Sequence, residues 1–341
     1  MLCAASVVLG EGPLWDPDLR VLYWLDNVSG TIYRFDPGTG MQRSVGVGQP
    51  LGSFALTDRR DQVLLTGERG ISLFDWNTLR EYPLHPLPRP DPSAVPSMPS
   101  DVSPGFSRGL RFNEGAVDAA GRFIAGTYEM DEPHGEGQAE TYSFEATSDP
   151  DPAKPQIILK RTLIARVWIS NGIGFNEDSS RMYFIDSMTR AVVAYKYDLG
   201  SGALGDEGTT IIRFPVQWGV PDGLSVDAEG MIWVASFGGY RVSRWDPNTG
   251  RQLDEILLPT GQIPSLTFMG EDLRDLVIVS GARGAGLLDR EPLAGSVFIV
   301  RGMNVAGKPA PRFKGAIAVD ESKAVQRKII EETTLVITDL P

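Results

Sequence analysis

One pattern recurs six times along the chain, and it leaves few folds open. Each unit begins with a short apolar strand and a turn built from Asp, Asn or Gly. A stronger strand follows, then a loop and a third strand. The units start near Leu14, Phe54, Gly115, Ile173, Leu224 and Leu266. Their stronger strands read VLYWLD, QVLLTG, RFIAGT, MYFIDS, MIWVAS and LVIVSG. Turns of this kind join antiparallel strands. No helical periodicity lies between them, so the pattern predicts an all-β fold. Units of about 40 residues match the blades of a closed propeller, with a sandwich as the structural alternative.

In a propeller the innermost strand of each blade starts at one face and the second strand returns to it. Four units carry an acid or amide just before that first strand: Glu11 in GEGPLW, Asn113 in RFNEG, Asn171 in SNGIG and Asp222 in PDGLS. A closed ring brings all four to one rim near the axis, where oxygen groups alone make a site for a hard cation. The same rim is expected to receive the polar ends of the second strands: Asp26, Thr66, Thr127, Asp186, Ser236 and Ser280. Asp, Asn and Gly also favour turns in their own right, which is the competing explanation for any one of these positions. The other two units carry Ser53 and Ser265, leaving an uncharged stretch of rim as a place for substrate to enter.

The 341 residues suffice for a single large β unit, with 42% hydrophobic and 22% charged residues as in ordinary globular proteins. A net charge of −12 argues against nucleic acid and against an anionic membrane as partners. No apolar run is long enough to span a bilayer. The start, MLCAASVVLGEGP, lacks a basic n-region and is read as strand rather than signal peptide. Cys3 is the only cysteine, which fits a reducing compartment and a cytoplasmic location. The sequon Asn27-Val28-Ser29 is read as a chance match.

The propeller is assigned to residues 1–315. Two insertions interrupt it, at 83–107, rich in proline, and at 129–157, acidic and rich in turn formers. Both emerge on the rim that carries the acids and amides, as lids or specificity loops do. Within the second, TYSFEA is a candidate outer strand of the third blade. Residues 316–341 form an extension. There DESKAVQRKIIEE has the spacing of a helix with Val325, Ile329 and Ile330 on one stripe, and TTLVITDL reads as a strand.

Two motif matches fail on context. Gly105–Gly109 spells G-x-S-x-G, but a proline-rich loop precedes Ser107 and a strand follows it, so no nucleophile elbow is expected. Gly302–Lys308 resembles a phosphate-binding loop, yet Pro309 stands where Ser or Thr would hold magnesium. His85, His134 and Cys3 are too few for a structural zinc site of the usual kinds.

From Gly10 to about Gly315 the sequence resembles the SMP-30/gluconolactonase/regucalcin family. The likeness rests on GEGPLWDPDLRVLYWLD, RFNEGAVDAAGRFIAGTYE, ISNGIGFNEDSSRMYFID, PDGLSVDAEGMIWVASFGGYRVSRWDPNTG and REPLAGSVFIVRG, in that order. The resemblance implies a six-bladed β-propeller with one divalent cation on its axis. It implies Glu11, Asn171 and Asp222 as metal ligands, with Asp222 also the catalytic base. Asn113 would lie by the metal and the substrate, and Arg111 would hold substrate oxygens. Glu129 or Asp131 would supply a further acidic contact to substrate, because AGTYEMDE replaces the family's usual stretch there. Glu114 stands where the family carries Asp, one methylene longer.

On this basis the expected activity is metal-dependent opening of a lactone, a sugar lactone such as gluconolactone or a related small cyclic ester. The cation would polarise the ring carbonyl and stabilise the oxyanion formed on water attack. Calcium is the first choice of ion, with magnesium, manganese or zinc behind it. The partner is a small-molecule lactone, and the chain a monomer or homodimer. Two alternatives stand beside this: a calcium-binding regulatory propeller without catalysis, or the same site acting on an aryl or polyketide-type lactone.

Overall fold

The first strands of six antiparallel sheets form a closed ring in the computed structural model, each touching the next and the last touching the first. The model describes residues 7–87, 110–129, 137–154 and 156–334. Blade one is β1 (Gly10–Asp16), β2 (Val21–Asp26), β3 (Thr31–Asp36) and β4 (Met41–Gly46). Blade two is β5 (Leu51–Leu56), β6 (Gln62–Gly67), β7 (Gly70–Asp75) and β8 (Arg80–Pro86). Blade three is β9 (Leu110–Val117), β10 (Phe123–Glu129), β11 (Ala139–Ala146) and β12 (Ile157–Val167). Blade four is β13 (Ser170–Phe175), β14 (Arg181–Asp186), β15 (Ala191–Asp198) and β16 (Ala203–Arg213). Blade five is β17 (Val220–Val226), β18 (Ile232–Phe237), β19 (Arg241–Trp245) and β20 (Gln252–Leu257). Blade six is β21 (Ser265–Met269), β22 (Asp275–Val279) and β23 (Val297–Val300). The six-bladed, all-β propeller read from the repeat is therefore the fold.

Burial grades outward within a blade. Every residue of β2 is buried, whereas β16 and β20 are largely exposed. Second strands packed on both faces must be continuous apolar runs, which is why VLYWLD and MIWVAS carry little alternation. The core is divided among the blade interfaces. One cluster joins Tyr23 and Leu25 of blade one to Phe54 and Leu65 of blade two. Another joins Trp233 and Val242 of blade five to Phe268 and Ile278 of blade six. Buried polar clamps add to this: Tyr197 of blade four donates to Asp118 of blade three at 2.7 Å, and Asp118 also accepts from Arg122 at 2.7 Å.

The seam between the last and first blades is fastened at one face by the chain just before β1. Gly10 N donates to Ser280 O and Ala282 N to Val8 O. At the opposite face it is crossed by the segment that leaves blade six. This strap bonds the turns of blades six and five through Gly307 N to Leu273 O and Ala228 N to Ala306 O. It then reaches blade one through Arg312 to Asp16 at 2.6 Å, blade two through Phe313 N to Leu56 O, and blade three through Lys314 N to Gly121 O. Phe313 is fully buried among Phe112, Phe123 and Phe144.

The extension departs from the sequence expectation. No helix spans Asp320–Glu332: after a single 3-10 turn at Glu321–Lys323, β24 (Val325–Gln326) pairs with β8 and β25 (Ile329–Thr334) pairs with β4. The outer strands of blades one and two present open rows of N–H and C=O groups. Pairing them outweighs a marginal helix with a narrow apolar stripe. Ion pairs from Arg43 to Glu332 and Arg80 to Glu321, both 2.6 Å, hold the added strands. In the first insertion, residues 83–86 belong to β8; Pro83 is tolerated there because β8 is an outer strand. In the second, TYSFEA lies in β11, the third strand of blade three, with β12 outside it. Ser107, Asp131 and His134 lie outside the described residues.

Replacing Phe313 by Ala removes a wholly buried ring that pins the strap. It should lower unfolding free energy by about 3–5 kcal/mol in a denaturant titration. Val216→Ala, at a position 77% exposed, should stay within about 0.5 kcal/mol of wild type.

Candidate active site and cation centre

A cavity of about 150 Å³ opens on the axis at the face where the first strands begin. Four blades line it by one three-residue rule: two positions two apart at the start of the first strand, and one just past the polar end of the second. These are Leu9, Glu11 and Asn27; Arg111, Asn113 and Tyr128; Ile169, Asn171 and Ser187; Val220, Asp222 and Phe237. The spacing of two is the alternation of a strand, which turns every second side chain to the same side. Near this point the first strands of blades one to five each carry a register shift against the second strand. Bulges of this kind re-aim side chains beside functional sites. Blade six pairs without a shift.

Blades two and six break the rule at the second strand as well, with Gly67 and Gly281 at the position occupied elsewhere by Asn27, Tyr128, Ser187 and Phe237. In blade two Ser53 faces Thr66, their hydroxyls 3.0 Å apart, and no residue of that blade lines the cavity. Blade six contributes Arg283 alone.

Glu11, Asn113, Asn171 and Asp222 are thus brought together, all buried. The polar second-strand ends are not site groups. The Asp26 carboxylate accepts from Val8, Leu9, Val28 and Ser29 backbone N–H, and that of Asp186 from Trp168, Ile169 and Met188. They shape the loops, and the residues one further on, missed in the sequence, face the axis. Glu129 ends β10, opposite Leu110.

A hydrogen-bonded chain orients the amides. Asn113 Nδ2 donates to Asn171 Oδ1 and to Ser170 O, both at 3.0 Å. Asn171 Nδ2 donates to Ser187 Oγ at 2.7 Å, and Ser187 Oγ donates to Pro221 O at 2.7 Å. The Asn171 oxygen therefore faces the axis with a lone pair to spare, and Ser187 ties it to the strand that carries Asp222.

Arg111 is held more tightly than a substrate-binding role requires. Its Nε donates to the Tyr128 hydroxyl at 2.7 Å and its Nη1 to Asn27 O and Leu51 O at 3.0 and 3.1 Å. Its Nη2 donates to Asn27 Oδ1, and the guanidinium stacks 4.8 Å from the Tyr128 ring centroid. Asn27 is accordingly 1% exposed, which closes the sequon to a glycan.

The electrostatics are those of a site short of positive charge. Glu11 is pushed well above the ordinary carboxylate range, first by burial, then by Asp222 and Glu114; Arg111 offsets only part of this. Asp222 is raised by burial and by Glu114. Burial raises Glu114 to about 7. Asp222 Oδ1 has no hydrogen-bond partner among the described residues. Among the described residues no group of three or more His, Cys, Asp or Glu is gathered at metal-binding spacing. The donor set depends instead on an amide, Asn171, beside two carboxylates, and such an oxygen set suits a hard divalent ion. A dication would restore the ionised form of both acids and occupy the orphaned Asp222 oxygen, so the residues present fit one.

The sign of the pH dependence follows. Between about pH 4 and 7 the cation-free folded state holds protons on these acids that the unfolded chain has released, so stability falls as pH rises through that window. In EDTA the thermal midpoint should be higher near pH 5.5 than near pH 8. A double Glu11→Gln, Asp222→Asn variant should reduce the difference to the part that Glu114 supplies, and a slope as steep as wild type would remove Glu11 and Asp222 as its source. Separately, Ser187→Ala should weaken cation binding by about tenfold or more, read as a smaller calcium-induced thermal shift, with Ser187→Thr recovering most of it.

Comparison with known proteins places the chain in a family. Residues 9–282 match the family model described as the SMP-30/Gluconolactonase/LRE-like region. The chain is 31% identical over 309 residues to regucalcin of Gallus gallus, covering 90% of this chain and 95% of that one. It is 30% identical over 312 residues to a Bacillus subtilis (strain 168) protein assigned as a sugar lactone lactonase, YvrE, covering 91% and 96%. Among solved structures, a calcium-binding protein, regucalcin, from Agrobacterium tumefaciens superposes with a TM-score of 0.76 at 23% identity, covering 91% of this chain and 95% of that one. A gluconolactonase from Xanthomonas campestris superposes at 0.58 with 17% identity, covering 87% and 86%; both likenesses speak to fold alone. On the family match and the relatives' extent, the chain belongs to the SMP-30/gluconolactonase/LRE-like family.

Proposed function

We propose that this protein is a divalent-cation-dependent lactonase acting on a small lactone of sugar size. The observation that carries this is the convergence of Glu11, Asn171 and Asp222, from three blades, around an unpartnered carboxylate oxygen at the floor of a small cavity. Family membership and one relative named as a sugar lactone lactonase support it. At about 150 Å³ the described cavity is small beside the roughly 300–1,000 Å³ of a drug-sized site, which favours a single sugar ring over an extended aryl or polyketide lactone.

When bound, the cation supplies a Lewis acid for the ring carbonyl oxygen. The chain's own groups do the rest. Asp222, ionised beside a dication, accepts the proton of the attacking water at its second oxygen. Asn113 presents an amide at the cavity beside Asn171 and orients ring hydroxyls. Arg111 keeps its charge within reach of Glu11 and spends four of its five N–H donors on Asn27, Leu51 and Tyr128, so it shapes the wall with one donor left for a substrate oxygen. The apolar lips Leu9, Ile169, Val220 and Phe237 narrow the mouth.

That engagement of Arg111 favours a second reading, a calcium-holding propeller without turnover, since the cation best suited to grip substrate is held by the scaffold. Hydrolysis separates the two. In a pH-stat assay, D-glucono-1,5-lactone should be hydrolysed after calcium, manganese or zinc is added to EDTA-treated protein. Asp222→Asn should lose at least about a hundredfold in kcat while remaining folded. Full rate in EDTA, or in Asp222→Asn, sinks the lactonase assignment. Cation binding without turnover of any sugar or aryl lactone establishes the second reading.

A further inference from the structure

Arg283 has no part in the ring of acids and amides, yet it is the one lining residue that blade six contributes. Its backbone is fixed. Arg283 N donates to Gln262 Oε1 at 2.9 Å, and Gln262 Nε2 donates to Arg283 O at 2.7 Å. One residue earlier, Ala282 N bonds Val8 O at 2.9 Å, and Leu9 bridges to Gly281. The loop is thus built against blade one at the seam. Its side chain is treated differently: it is exposed and makes no hydrogen bond or ion pair with any described residue. In a chain of net charge −12, a guanidinium left unpaired at a cavity mouth stands out.

The two arginines of the cavity differ in this respect. Arg111 is 4% exposed with four hydrogen bonds to protein atoms. Arg283 keeps its donor fork open to whatever enters. The cavity is also polarised. In the lactonase reading Glu11 and Asp222 hold the cation that takes the carbonyl oxygen, Leu9, Ile169, Val220 and Phe237 offer an anionic group no partner, and Arg283 lies on the blade-six side. A substrate with an anionic end is therefore oriented, its carbonyl toward the floor and its charge toward blade six.

We infer that Arg283 makes the site selective for lactones bearing an anionic substituent, a carboxylate or a phosphate, remote from the ring carbonyl. This rests on the lactonase reading above. The test compares kcat/KM for D-glucono-1,5-lactone (neutral), D-glucaro-1,4-lactone (carboxylate) and 6-phospho-D-glucono-1,5-lactone (phosphate) in wild type, Arg283→Gln and Arg283→Lys. An arm independent of turnover measures calorimetric binding of D-sorbitol 6-phosphate against D-sorbitol.

Wild type should favour at least one anionic lactone by about tenfold at low salt, mainly through KM, with the margin shrinking as salt is raised. Arg283→Gln should erase that margin and leave the neutral lactone within about twofold, and Arg283→Lys should keep most of it. Which anionic lactone is favoured identifies the group. Equal rates on neutral and anionic lactones, or equal losses on all three in Arg283→Gln, overturn the inference. If no lactone is hydrolysed but D-sorbitol 6-phosphate binds and Arg283→Gln abolishes this, the anion subsite stands and the lactonase reading falls.

Discussion

Burying acids beside each other without a counter-charge is costly, and the arrangement around the axis is organised by that cost. Glu11, Asp222 and Glu114 lie within electrostatic reach of one another, with Arg111 as partial relief for Glu11. Proteins accept such a cluster where a cation or a proton completes it. The ring of first strands is what makes the accumulation possible. No single blade contributes more than a few polar groups to the cavity. Only closure brings the charges together, so the stability of the whole ring and the occupancy of the centre are linked.

Much of this was legible in the sequence. Recurrence of the unit specified an all-β ring, because each copy carried its own strand lengths and turn residues. Glu11, Asn113, Asn171 and Asp222 were legible because each stands before a glycine-marked irregularity in an otherwise apolar strand. At the second strands the side chains that face the axis lie one residue beyond the polar ends. Asp26, Thr127, Asp186 and Ser236 look chemically promising, but strand alternation turns Asn27, Tyr128, Ser187 and Phe237 to the axis. The glycines at 67 and 281, where other blades carry a side chain, were the available sign that blades two and six are different.

In the tail the controlling fact is nonlocal. Val325, Ile329 and Ile330 do have helical spacing, but local spacing says nothing of an unpaired sheet edge elsewhere in the fold. The open edges of β4 and β8 are nonlocal facts, and they decide the outcome. Arg111 shows the same limit. Its place two residues before Asn113 is visible in the sequence, while the partners that immobilise it come from Asn27 and Leu51, far away in the chain.

A ring made from consecutive blades has one joint where the last blade meets the first, and the cavity straddles it: Glu11 stands on one side and Arg283 on the other. The distance between the Glu11 carboxylate and the Arg283 guanidinium is therefore set by how well that joint is locked. Chain before β1 locks it on the cavity face, and the strap through Arg312 and Phe313 locks it on the other. Two fastenings on opposite faces resist both hinging and sliding, as a single clasp does not. The strap touches neither Glu11 nor Asp222 and does not line the cavity, yet it acts as the gauge that holds the two sides of the cavity at a constant span.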